Sequence, residues 1–251
     1  MGVPMIGCAC DVCRSTDPRD TRSRPSILVR MASGASILVD TSSDLRAQAL
    51  RLGFTRIDAV LYTHSHADHI LGLDELRRFN TLQKGPIPLF GDQRTMTDLR
   101  RIFDYAFQAP REPGHEYLPQ LVPFILDGPI CVAGTEVRPV PVTHGARTIF
   151  GFRFGRFAYL TDCCAIPDAS WPLLEGLDVV VLDALRVRPH SSHFSLDQAV
   201  AAATRIGAAR TFFTHMSHDL GHAGTCARLP EGMALAHDGL TLTIAEGGGR
   251  G

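Results

Sequence analysis

Three imidazoles and a carboxylate fall within six residues, His64-Ser65-His66-Ala67-Asp68-His69, directly after the apolar run Asp58-Ala59-Val60-Leu61-Tyr62 that ends at Thr63. A short apolar run of this kind predicts a buried β-strand. A tight turn at the end of such a strand can aim alternate side chains at two neighbouring ions. Imidazole and carboxylate donors suit Zn, Mn or Fe. The chain is thereby held to folds that leave a strand end open as a metal site, and a metal-dependent hydrolase is the first expectation.

A chain of 251 residues suffices for one large domain or two small ones. Its 45% hydrophobic and 20% charged content is ordinary for a globular protein. The net charge of −1 provides no global field for nucleic acid or an anionic membrane, which counts against a long RNA substrate. No apolar run approaches transmembrane length. Residues 1–13 carry no basic stretch followed by an apolar one, so no secretory signal is expected. Seven cysteines, three of them within six residues, fit reduced thiols better than a disulfide framework. A cytoplasmic location is expected on that basis.

Along the chain, residues 26–31 and 36–40 read as a hairpin around Ser33-Gly34. A helix is expected over 42–52, ending at Gly53, and a helical turn over 74–78. Residues 87–90 read as a strand, 95–107 as one amphipathic helix, and 110–123 as loop. Strands follow at 137–142, 148–154, 157–161 and 179–183, then a helix at 196–206 and a buried strand at 211–214. Residues 240–244 are expected to close the sheet, with 246–251 as a flexible tail. Blocks of strands followed by helices suggest two packed sheets with helices outside. No repeat or linker divides the sequence, so 1–251 is expected to be a single domain.

Further metal donors stand just past later apolar runs: His144 after Val140-Pro141-Val142-Thr143, Asp162 after Tyr159-Leu160-Thr161, His215 after Phe212-Phe213-Thr214. Singly, each is more often a turn residue or cap. Together with His64, His66, Asp68 and His69 they resemble the metallo-β-lactamase superfamily over nearly the whole chain. The resemblance implies an α/β fold, an αββα sandwich of two mixed β-sheets with outer helices. It also implies a two-metal site at the sheet edge, filled by Zn or Mn. His64, His66 and His144 would hold one ion; Asp68, His69 and His215 the other; Asp162 would bridge.

A second motif lies in Gly2-Val3-Pro4-Met5-Ile6-Gly7-Cys8-Ala9-Cys10-Asp11-Val12-Cys13. Three thiolates at this spacing can share a structural Zn with a fourth ligand from elsewhere. His218, three residues after His215, is the expected fourth. The glycine-valine-proline lead, the cysteines and His215-Met216-Ser217-His218 resemble one branch of the superfamily, the phosphodiesterases of the carbon–phosphorus lyase pathway, which open 5-phosphoribosyl 1,2-cyclic phosphate. That resemblance implies catalytic roles for Asp68 and for His193 as general acid, two activated ions, and a small phosphodiester substrate from phosphonate metabolism. Relatives carry a strand and a Gly-Thr-Gly-type turn ahead of this motif. A missing edge strand or a misassigned start is therefore expected here.

Asp40 and Asp183 are candidates to orient ligand imidazoles. Arg186 and Arg188 are candidates to hold a second phosphate, or are solvated surface residues. Cys163 and Cys164, beside the expected bridge, are expected to be inert, and Cys131 and Cys226 to pack. Nucleic acid and membrane are not expected partners, and a homodimer stays open. A ribonuclease Z-like tRNA nuclease is the nearest rival, weakened because Arg94, Arg100, Arg101 and Arg111 have acidic neighbours. A thioester or lactam hydrolase fits the cysteine motif poorly. A non-catalytic cofactor-biosynthesis binding protein of the same fold is the rival outside enzymes, and such proteins tend to lose the active-site ligands retained here.

Overall fold

Strands buried along their whole length lie inside two mixed sheets, each with at least one parallel neighbour. The structure is a computed structural model and describes residues 2–107 and 117–244. Two compact units emerge: residues 24–136, and residues 1–23 together with 137–251.

In the 24–136 unit, β1 (Ile27–Arg30) and β2 (Ser36–Val39) form the expected hairpin, with Ile27 opposite Val39. Helix α1 (Leu45–Leu52) ends where Gly53 turns left-handed at φ 67°. Strand β3 (Ala59–Leu61) runs parallel to β2 and delivers the chain to the one-turn helix α2 (Ala67–Ile70). Then come α3 (Leu76–Gln83), β4 (Ile87–Gly91), α4 (Gln93–Ile102), α5 (Asp104–Phe107) and β5 (Leu121–Ile125). The Asp92 side chain caps α4 by accepting from the Thr95 N–H at 2.6 Å. The sheet order is β1-β2-β3-β4-β5. Leu38, Val60, Tyr62, Ile70, Leu73, Leu89 and Met96 belong to its core.

Three expectations change here. The turn at 74–78 opens a helix that continues to Gln83. The helix expected over 95–107 divides at Phe103 (φ −115°, ψ 43°), which keeps the apolar spacing and so hides the break. Residues 121–125 are an edge strand rather than loop, with Pro123 paired opposite Leu89. Proline is tolerated at an edge because its missing N–H can face outward. The earlier part of that expected loop, with Arg111, and the tail at 246–251 lie outside the described residues.

The second sheet runs β12-β11-β10-β9-β8-β7-β6, from β6 (Ile130–Val132), β7 (Thr135–His144), β8 (Arg147–Phe154), β9 (Phe157–Leu160), β10 (Val179–Asp183), β11 (Arg210–Thr214) and β12 (Met233–Leu235). Pairs β7–β8 and β8–β9 are antiparallel, whereas β9–β10, β10–β11 and β11–β12 are parallel. Helix α6 (Leu196–Ile206) starts in a capping box of Ser195 and Gln198 and buries Ala199 and Ala203. Helix α7 (His222–Cys226) precedes β12. Residues 240–244 form no strand; β12 takes the sheet edge expected for them. Among the described residues no helix is long and apolar enough to cross a membrane.

Candidate metal centres

The strand-to-helix turn after β3 is braced from below by one buried carboxylate. Asp40 accepts from the Thr63 N–H at 2.9 Å and from the Thr63 hydroxyl at 2.8 Å, and its Oδ2 lies 2.7 Å from Nδ1 of His69. A carboxylate accepts, so Nδ1 of His69 donates and Nε2 carries the lone pair. Thr63 spends its only hydroxyl hydrogen on Asp40, so at 3.0 Å it accepts from Nδ1 of His64 and leaves Nε2 of that ring as a donor atom too. The His64 ring centroid is 4.5 Å from that of His66 and 4.3 Å from that of His69. Burial pushes the Asp40 carboxyl up, opposed by His69. Ser65, inside the motif, donates to Asp98 of α4 at 2.6 Å.

In the second sheet, β7 is two antiparallel steps from β9, and β9, β10 and β11 are parallel, so all four strands end on one side. That places His144, Asp162, Asp183 and His215 at a common edge. One donor atom from each of Asp162, Asp183, His193 and His215 lies within 4.8 Å of the others. Nε2 of His215 is 3.5 Å from Asp162 Oδ1, and its Nδ1 is 3.5 Å from Asp183 Oδ1. The same Asp183 oxygen is 3.2 Å from Nδ1 of His193, whose ring stacks on His215 at 4.8 Å. Backbone N–H groups of Asp162 (3.2 Å) and Phe194 (2.9 Å) donate to Asp183. Burial pushes the Asp183 carboxyl well up, with His215 pulling it down. Nδ1 of His144 donates to the Ser192 carbonyl at 2.8 Å, again presenting Nε2.

Asp40, Asp162 and His215, each just beyond a strand, have left-handed backbones at φ 62°, 56° and 58°. Non-glycine residues adopt that region at a cost, and such outliers cluster at functional sites.

The cysteine loop lies against His218. Its Nδ1 lies 3.1 Å from Cys8 Sγ, 3.4 Å from Cys10 Sγ and 3.5 Å from Cys13 Sγ. The Cys13 backbone N–H is the main influence lowering the Cys10 thiol to about 7. Three sulfurs converging on one imidazole nitrogen fit a tetrahedral Zn. Arg22, buried, ties this segment to the turn after β11 by donating to the carbonyls of Ser217 (2.8 Å) and Leu220.

The remaining candidates fare differently. Arg186 folds back onto its own loop, donating to the carbonyls of Arg188 (3.1 Å) and Pro189 (2.9 Å), and Arg188 is exposed. Cys163 is buried, and burial raises its thiol well above the ordinary value; Cys164 contacts the Thr143 carbonyl at 3.4 Å. Cys226 packs against the core, but Cys131 is exposed on β6, so its expected packing role is wrong. His190, Ser192 and the Ser65–Asp98 contact are not among the site residues expected from the sequence. His190 and Ser192 sit two residues apart in a loop already flagged for His193, which was the available signal.

The family model for the β-lactamase superfamily domain matches residues 35–216. A crystal structure of a diphosphatase from the PhnP family is 46% identical, with a TM-score of 0.89 over 96% of this chain and 91% of that one. An octanoyltransferase of Porphyromonas gingivalis is 36% identical over 98% of this chain. A ribonuclease Z of Bradyrhizobium diazoefficiens is 31% identical over 68% of it. The chain spans only 50% and 60% of the lengths of these two relatives. With two mixed sheets accompanied by helices and a model match through most of its length, the chain belongs to the metallo-β-lactamase superfamily.

Proposed function

We propose that the chain is a metal-dependent phosphodiesterase whose two units work as one hydrolase domain. In this reading, as the family resemblance implies, His64, His66 and His144 would hold one divalent ion, Asp68, His69 and His215 would hold a second, and Asp162 would be a ligand shared between them. The support is the family match from residue 35 to 216 and the hydrogen bonds that leave Nε2 of His64, His69 and His144 as donor atoms. Zn or Mn bound there would supply positive charge against the developing phosphoryl charge and a water acidified toward neutrality. Cys8, Cys10, Cys13 and His218 hold a structural Zn.

The observation that carries the reading is His193, held by Asp183 and stacked on His215. With Nδ1–H turned to the carboxylate, His193 keeps Nε2 for the acid proton. As water attacks phosphorus, the bond to the leaving oxygen breaks and that proton passes from Nε2 to the departing alkoxide. Asp183 stabilises the imidazolium beforehand and fixes the ring. The likeness to a diphosphatase favours phosphoryl over lactam or thioester chemistry. Substrates to try are 5-phosphoribosyl 1,2-cyclic phosphate, other small cyclic phosphodiesters, and a diphosphate diester. The free thiols fit a cytoplasmic setting.

The test is hydrolysis of bis-p-nitrophenyl phosphate by protein reconstituted with Mn or Zn, followed by that panel. Turnover with either metal supports the reading; none with both turns it toward a binding protein. The likeness to ribonuclease Z keeps a tRNA nuclease as second reading. Against it, Asp98 pairs with Arg101 at 3.4 Å and Arg94 at 4.0 Å, which blunts the basic face. Salt-dependent tRNA retention in a gel shift would favour it.

A further inference from the structure

The loop that carries His193 holds a second imidazole whose proton position is fixed. The Ser192 backbone N–H donates to Nδ1 of His190 at 3.2 Å, with the Ser192 hydroxyl also at 3.2 Å. A backbone amide can only donate, so Nδ1 of His190 carries the lone pair and the neutral ring has its hydrogen on Nε2. His144 and His193 have the opposite arrangement, because their Nδ1 atoms face a carbonyl and a carboxylate. Neutral His190 therefore offers a hydrogen on Nε2 where neutral His144 offers a lone pair, and it donates there without the second proton that His193 must carry to act as an acid. Among the described residues its Nε2 takes part in no hydrogen bond. The ring is half-buried and its centroid is 5.2 Å from that of His193. Burial, and then the nearby His193 and Arg186, press the ring toward its neutral form.

We propose that His190 selects the leaving group by donating its Nε2–H to an oxygen of the departing alcohol, close to the oxygen that His193 protonates. The alcohol class this fits is a polyhydroxylated one such as a ribosyl group, which has an acceptor oxygen on the carbon next to the ester carbon. A bare aryl alcohol has none. The inference rests on the phosphodiesterase reading and adds the specificity-determining residue.

The test compares kcat/KM for ribosyl phosphodiesters (2′,3′-cyclic AMP and ribose 1,2-cyclic phosphate) with that for bis-p-nitrophenyl phosphate. Wild type, His190→Phe and His190→Gln are assayed, with metal content measured for each. Phenylalanine keeps the ring without the donor, and glutamine restores an N–H. One lost hydrogen bond predicts about a tenfold fall in the ribosyl-to-aryl ratio for His190→Phe, with most of it regained in His190→Gln and metal content as in wild type. An unchanged ratio in His190→Phe overturns the assignment, as does an equal loss on both substrates or no recovery with glutamine. A wild type that cleaves only the aryl diester overturns it as well. A wild type active on neither substrate fails the phosphodiesterase reading itself, and this inference with it.

Discussion

Oδ2 of Asp40 lies 2.7 Å from Nδ1 of His69, and neither side chain has any exposure. Asp40 also holds Thr63, which holds His64, so one carboxylate sets the direction of two imidazoles. Asp40→Asn should keep the left-handed backbone, which asparagine tolerates, while weakening this bracing. A partner of this kind typically contributes 10–100-fold to metal affinity. Competition against a chromophoric chelator should show a loss of about that size, and wild-type affinity would exclude the bracing role.

His193→Ala should reduce turnover of a sugar phosphodiester by about 10²–10⁴, the usual worth of a general acid. The loss should be much smaller for p-nitrophenyl esters, whose leaving group departs without protonation. Steady-state kinetics on both substrates, with metal analysis, checks this. Equal losses on the two, accompanied by lost metal, would make His193 a ligand instead. That outcome has a structural basis, since His193 shares a donor cluster with Asp162, Asp183 and His215.

What was legible in the sequence follows from what local pattern encodes. Strand ends could be read because an apolar run stops at a polar residue, and so Asp162 and His215 stood out in advance. Phe103 could not be read as a break, because it preserves the apolar spacing of the helix it interrupts. Strand β12 was missed because it is three residues long and is held mainly by β11: the Thr211 N–H donates to the Gly232 carbonyl, and that of Ala236 to Phe213. The rival run at 240–244 looked equally suitable, and pairing across distance decided between them. The orientation of His190 was invisible for the same reason, since a tautomer is set by a neighbour's geometry and not by residue type.

Cys10→Ser should remove one Zn per chain in elemental analysis, because its sulfur is one of three converging on His218. Treating wild type with a strong chelator should lower its Tm by more than the same treatment lowers that of the variant. A chain of this size shifts by about 2–4 °C for each kcal/mol lost. Differential scanning calorimetry before and after chelation checks both statements. Full Zn content in the variant would show that the cysteine loop is ordinary packing.

Gly72 follows α2 and has no room for a side chain. An added Cβ would run into the Ser42 carbonyl oxygen and the Leu45 side chain. The Gly72 N–H donates to the Thr41 carbonyl at 3.0 Å, so this close approach fastens the end of the His64–His69 turn to the segment just beyond Asp40. The obstacle is backbone, which has no rotamer with which to yield. Gly72→Ala should therefore push α2 outward, costing about 1–3 kcal/mol of stability as overpacking usually does. It should also lengthen the Asp40–His69 contact, so metal affinity should fall together with Tm. A variant that loses Tm but binds metal as wild type would mean that α2 yields at its far end, leaving the His69 bracing intact. Chemical denaturation and the same chelator competition, run on one preparation, separate the two outcomes.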